Sequence, residues 1–82
     1  MKFKAEIDVM PLKELLDPQG KAVMLGLKNI GVSSADVRVG KHISIEIEAS
    51  SKEEASEKVQ LACQKLLANP IMEGFSFEIV EG

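Results

Sequence analysis

The chain has 82 residues, of which 45% are hydrophobic and 28% are charged, a composition typical of a small globular domain. Its formal net charge of −3 argues against a nucleic-acid partner, because such partners usually meet a basic face. No apolar run approaches the ~20 residues of a membrane-spanning helix, so no membrane partner is expected either. These properties predict one domain over residues 1–82.

Alternation at the start of the chain predicts a first strand that ends near Met10. Phe3, Ala5, Ile7 and Val9 are apolar at every second position, and charged residues stand between them. A period of two is typical of a strand with one buried face.

A first helix is predicted from Pro18 to about Ile30. Asp17 stands where an N-cap residue belongs, and proline is tolerated at the first helical position because its missing N–H has no partner there. Gly31 stands where a glycine often ends a helix.

Two glycines inside this helix, Gly20 and Gly26, indicate that something lies close against it. Each costs roughly 1 kcal/mol relative to alanine in a helix interior. We interpret both as making room for the close approach of another backbone.

A β-hairpin is predicted next, from alternating apolar residues in residues 35–39 and 43–49. A three-residue loop, residues 40–42, would set Val39 opposite Ile43 on the buried face. By the same parity, Arg38 should emerge on the polar face of the sheet.

A second helix is predicted from about Lys52 to Leu67. A capping box, either Ser51 with Glu54 or Ser50 with Glu53, precedes its apolar stripe.

A last strand is predicted around Phe75, Phe77 and Ile79, which alternate with polar residues. The resulting order, βαββαβ, predicts an α+β fold of the ferredoxin-like kind, with a four-stranded antiparallel sheet and two helices on one face.

The search for catalytic groups predicts no catalytic residue and no metal site. His42 is the sole histidine, and beside a hairpin loop we interpret it as a solvated side chain. Cys63 lies on the flank of the apolar stripe and is interpreted as a small core residue. Because one cysteine allows no internal disulfide and the core is small, we expect a homodimer or tetramer.

Two elements, "LLDPQGKAV" and "VRVGK", together resemble the PurS family, the small subunit of phosphoribosylformylglycinamidine synthase. The resemblance covers essentially the whole chain. One departure precedes the first element, where Glu14, Leu15 and Leu16 follow Lys13 and the family commonly reads Lys-x-Gly-Val.

The resemblance implies a non-catalytic subunit of a cytoplasmic, ATP-dependent and glutamine-hydrolysing synthase of purine biosynthesis. Such a subunit bridges the large synthetase subunit and the glutaminase subunit. ATP and magnesium would belong to the synthetase subunit, and this chain would hold no cofactor. The residues expected to contact partners are Asp17, Pro18, Gln19, Gly20, Arg38, Gly40 and Lys41.

Two alternatives share the predicted strand order. An ACT-like regulatory domain would bind a small ligand such as an amino acid at a dimer interface near Gly20. An acylphosphatase-like enzyme is disfavoured, because the connector "MPLKELLD" after the first strand has neither the arginine nor the glycines of a phosphate-binding loop.

Overall fold

The computed structural model describes residues 1–13 and 17–82. The expectation for Glu14, Leu15 and Leu16 lies outside the described residues. In chain order the elements are β1 (Lys2–Pro11), α1 (Pro18–Asn29), β2 (Lys41–Glu48), α2 (Lys52–Ala62), a π-helical turn (Cys63–Leu67) and β3 (Glu73–Glu81).

The sheet is antiparallel, with β1 between β2 and β3. Ala5 of β1 lies opposite Ile45 on one side and Ile79 on the other. This register places the apolar residues of all three strands on one face, as the alternation predicts.

The core lies between that face of the sheet and the second helical segment, which is α2 together with the π-helical turn that continues it. Val59 and Cys63 are buried against β1, whose inward side chains are at most 2% exposed. The buried apolar residues are Phe3, Ala5, Ile7, Val9, Ala49, Ala55, Val59, Cys63, Ala68 and Ile79.

Both helix starts follow the predicted capping pattern. The Asp17 carboxylate accepts a hydrogen bond from the Gly20 N–H, and the Ser51 hydroxyl accepts one from the Glu54 N–H. Past the end of α1, Gly31 has φ +87°, a conformation that glycine adopts without strain.

The prediction of a four-stranded sheet is wrong, because the described residues form three strands. Residues 35–39 form no strand despite their alternation. The N–H of Val39 donates to the Asp17 carboxylate, and the Arg38 side chain turns to carbonyls at the end of β1. Contacts between side chains and backbone thus take the place of a fourth ladder.

The predicted hairpin is wrong for the same reason. Lys41 and His42 belong to β2 instead of a loop, and Ile43 lies opposite Ile7 instead of Val39. The outer edge of β2, which the strand predicted at residues 35–39 would have covered, is therefore unpaired within the described part of the chain.

Neither helix of the described residues combines the length and the apolar content needed to cross a membrane.

Cys63 provides a test of the core. Its thiol is fully buried, and burial raises its pKa. We expect Cys63→Ser to lower the free energy of unfolding by about 1–2 kcal/mol, because it buries a hydroxyl in an apolar site. Urea unfolding measures this loss, with Cys63→Ala as the control that removes the thiol without adding a hydroxyl. A serine variant as stable as the wild type would contradict this assignment to the core.

Candidate functional site

Asp17 is the centre of a junction between the start of α1, the end of β1 and the segment that leads into β2. Its Oδ1 accepts a hydrogen bond from the Gly20 N–H at 3.0 Å, and its Oδ2 accepts one from the Val39 N–H at 3.0 Å. Because Val39 lies 22 residues away in the chain, one carboxylate both caps the helix and holds a distant segment. We call Asp17, Gly20, Val37, Arg38 and Val39 the junction.

The surroundings of Asp17 favour its ionised form. The hydrogen bonds from the Gly20 and Val39 N–H groups, and then the nearby Arg38 guanidinium, hold the pKa of this carboxyl below its usual value. The side chain is only 11% exposed. An ionised carboxylate is an acceptor only, and both of its oxygens are engaged here.

Arg38 is bound at the junction instead of lying on the polar sheet face, so the prediction from strand parity is wrong. Its Nη2 donates to the carbonyl oxygens of Pro11 at 3.0 Å and Leu12 at 2.7 Å. Its Nε lies 3.6 Å from Asp17 Oδ2, an ion-pair distance. The guanidinium therefore attaches the end of β1 to the carboxylate that caps α1.

The close approach predicted from the helix glycines is confirmed at Gly20. A Cβ atom there would collide with the carbonyl oxygen of Val37, and it would also come within 2.8 Å of Asp17 Oδ2. Gly26 differs, since no described atom lies within 4 Å of the position that its Cβ would take. Of the two helix glycines, Gly20 alone is required by packing against the described residues.

Gly40 makes a second close approach. A Cβ atom at this position would collide with the Val9 carbonyl oxygen and the Met10 sulfur. The glycine therefore lets the chain pass directly against the end of β1 before β2 begins.

The remaining predicted site residues lie at the surface beside the junction. Pro18 and Gln19 are exposed and line an open groove together with Met72 and Glu73. Lys41 is also exposed, and its Nζ lies 3.9 Å from Glu73 Oε1. The full lining of the groove is Pro11, Asp17, Pro18, Gln19, Val39, Asn69, Met72 and Glu73.

The seven predicted residues thus divide by exposure. Asp17, Gly20 and Arg38 are at most half-exposed and bond to other parts of this chain, and Gly40 is exposed but lies close against the end of β1. Pro18, Gln19 and Lys41 present their side chains to solvent. This arrangement positions a surface and does not bring reacting groups together.

A cluster on the opposite face of the sheet was missed by the sequence reasoning. His42 lies between the carboxylates of Asp8 and Glu6, and Ser44 also bonds to Glu6. Strand parity places all four residues on one face. The cluster was not predicted because His42 was assigned to a loop instead of to β2. Within residues 1–13 and 17–82, no group of three or more His, Cys, Asp or Glu side chains has an arrangement that could hold a metal ion.

Comparison with known proteins identifies relatives along nearly the whole chain. Residues 4–81 match the model of the PurS family, described as phosphoribosylformylglycinamidine (FGAM) synthase. The FGAM synthase subunit PurS of Synechocystis is 41% identical over 78 residues, which are 94% of this chain and 78% of that protein.

Solved structures share the fold. PurS from Thermus thermophilus has a TM-score of 0.87 and 40% identity over 100% of this chain and 99% of the other. A chain in the structure of PurLQS from Thermotoga maritima has a TM-score of 0.91 and 36% identity, covering 98% of this chain and 99% of that chain.

The junction predicts opposite effects for two substitutions in one helix. Gly20→Ala should lower the free energy of unfolding by about 1–3 kcal/mol, because the Val37 backbone must shift to admit a methyl group. Gly26→Ala, the matched control, should raise it by about 0.5–1 kcal/mol, because alanine restricts the unfolded chain and meets open space. Chemical denaturation of both variants measures the difference. Equal effects at the two positions would show that the junction does not constrain α1.

Proposed function

This chain belongs to the PurS family, and we propose that it is the small, non-catalytic subunit of phosphoribosylformylglycinamidine synthase in purine biosynthesis. In this role it holds the ATP-dependent synthetase subunit and the glutaminase subunit together. The observation that carries the proposal is the match to the PurLQS structure over almost the full length of both chains. ATP and magnesium would be bound by the synthetase subunit, and this chain would contribute binding surface alone.

The elongated shape of the chain is typical of a subunit that is bound to other chains. Its radius of gyration is 16.1 Å, whereas a compact domain of this length has about 12 Å. Its accessible surface is 5913 Å², against about 4,800 Å² for a folded monomer of 8.9 kDa. The excess of about 1,100 Å² is surface that a compact monomer would have buried.

Exposed apolar side chains lie on α1 and at its end. Within α1 the buried residue is Gly20, while Val23 is 44% exposed and Leu25 is 64% exposed. Ile30, at the end of the helix, is 74% exposed. Val23 and Ile30 are seven positions apart and so lie on one side of α1. We propose that a second copy of the chain covers this side to form at least a homodimer, since two-fold dimers are the commonest symmetric assembly.

We assign the contact with the partner subunits to the groove beside the junction. Pro18, Gln19 and Lys41 would touch the partner, and Asp17 and Arg38 would hold these residues in place. The exposure of the first three and the bonds of the other two support this division. A cytoplasmic location is part of the proposal and is supported by the free thiol of Cys63.

The ACT-like alternative is not favoured. It depends on a four-stranded order, which the sheet of the described residues lacks. Titration calorimetry with amino acids would separate the two functions, because an adaptor should give no heat of binding.

The homodimer can be tested by a charge on the exposed face of α1. We expect light scattering at micromolar concentration to give about twice the 8.9 kDa of one chain. Ile30→Lys should weaken dimerisation about tenfold or more, because an apolar side chain would otherwise be buried there. Leu66→Lys is the matched control, since Leu66 is 81% exposed on the π-helical turn. A stable wild-type monomer would contradict this part of the proposal.

The adaptor function can be tested by reconstitution with the synthetase and glutaminase subunits. Gln19→Ala combined with Lys41→Ala should lower glutamine-dependent activity and leave ammonia-dependent activity of the synthetase intact. The melting temperature should not change, because the ion pair of Lys41 is exposed and worth little.

The matched control for this experiment is Lys52→Ala combined with Gln60→Ala, which removes the same two residue types from the exposed side of α2. Equal losses in both double variants would contradict the assignment to the groove. If the tagged wild-type chain brings neither subunit down from an extract of its own cells, the adaptor function itself is wrong.

A further inference from the structure

His42 lies on the open face of the sheet, opposite the side that packs on α2. Its Nδ1 lies 2.7 Å from Asp8 Oδ1, and its Nε2 lies 2.6 Å from Glu6 Oε2. The Ser44 hydroxyl donates to the other oxygen of Glu6 at 2.8 Å. Because Asp8 and Glu6 belong to β1, the imidazole connects the two strands across their shared face.

This geometry favours the doubly protonated ring between two ionised carboxylates. A neutral imidazole has one N–H donor and one acceptor nitrogen, and an ionised carboxylate accepts only. With a neutral ring, one nitrogen lone pair would therefore face a carboxylate oxygen at hydrogen-bond distance. With an imidazolium, both contacts are charge-assisted hydrogen bonds.

The charges around the ring also favour a cation. On β3, Glu78 lies opposite Glu6 and Ser76 lies opposite Asp8. These residues line one cleft with His42. On β1, Lys4 Nζ lies 3.8 Å from Glu6 Oε1. On β2, Glu46 is engaged by Lys2 at 3.9 Å, and the ammonium of Lys41 is engaged by Glu73.

We propose that His42 is a proton-dependent clamp that fastens the start of β2 to β1 and opens as its imidazolium loses a proton. The chain enters β2 directly from Val39 and Gly40. The junction therefore holds the segment just before β2, and the clamp holds the first residues of β2. Loss of the proton would loosen the strand start that presents Lys41 next to the groove.

The direction of the pH dependence follows from the pKa. The hydrogen bonds to Asp8, and then to Glu6, raise the pKa of His42 above its ordinary value, and the same contact with His42 lowers the pKa of Glu6. A histidine whose folded pKa is raised contributes stability that is fully present below its unfolded pKa of about 6.5. That contribution is lost as pH rises through the folded pKa.

The proposal can be tested without ambiguity because His42 is the single histidine of the chain. NMR titration of its ring protons in the full chain should give a pKa above the value in the urea-unfolded chain. Asp8→Asn and Glu6→Gln should each shift the titration midpoint to lower pH. Glu46→Gln, on the same face of β2, is the matched control and should leave it in place.

Stability supplies an independent readout. The urea concentration at the unfolding midpoint of the wild type should decrease as the pH is raised from about 6 to about 9, the range around the ordinary histidine pKa. This decrease should be smaller in His42→Gln. A folded-state pKa at or below the unfolded value would overturn the proposal, and so would equal pH profiles for the two proteins. If His42→Gln does not fold, the titrations of the wild type and of the two carboxylate variants decide the question.

Discussion

The Asp17 carboxylate is the interaction on which the arrangement of this chain depends. α1 contributes no apolar side chain to the buried core, so burial of a helix face cannot set its direction. Instead, two backbone N–H groups meet the two oxygens of one carboxylate, and Arg38 connects that carboxylate to the end of β1. Hydrogen bonds are directional where apolar contact is not, and they can orient an element that buries little surface.

Such an arrangement suits a subunit better than an independent domain. The folded core consists of one face of three strands together with α2 and the π-helical turn, while α1 extends from the junction with Val23 and Leu25 exposed. Because a small core supplies little stability, apolar area left outside it is most useful in an interface. The molecule measures 50 × 26 × 15 Å, and it is elongated because α1 lies outside the core.

Local signals in the sequence were sufficient for most elements. The alternation of Phe3 to Val9 predicted β1, and the caps at Asp17 and Ser51 predicted the starts of both helices. These features depend on residues within a few positions of one another. The burial of Cys63 followed from the apolar stripe of the second helical segment, which the structure continues through a π-helical turn.

The errors arose where the structure is decided by distant residues. Residues 35–39 alternate like a strand, yet Val39 and Arg38 bond to Asp17 and to the end of β1 instead of pairing with the outer edge of β2. Parity then placed Arg38 outside and His42 in a loop. A side chain that bonds to the Pro11 carbonyl, 27 positions earlier, leaves no periodic signal that could reveal it.

The two sequence elements that resemble the PurS family form one physical unit in the fold. Asp17 and Gly20 come from the first element, Val37, Arg38 and Val39 from the second, and the contacts between them define the junction. The two elements are in direct contact, because the Val37 carbonyl lies where a Cβ atom of residue 20 would be and the Val39 N–H donates to Asp17. The energetic effects of changes in the two elements should therefore depend on each other, as expected for residues that share one hydrogen-bond network. The specificity of the paired motif thus has a structural cause, which is that the helix start and the entry to β2 are two sides of a single contact.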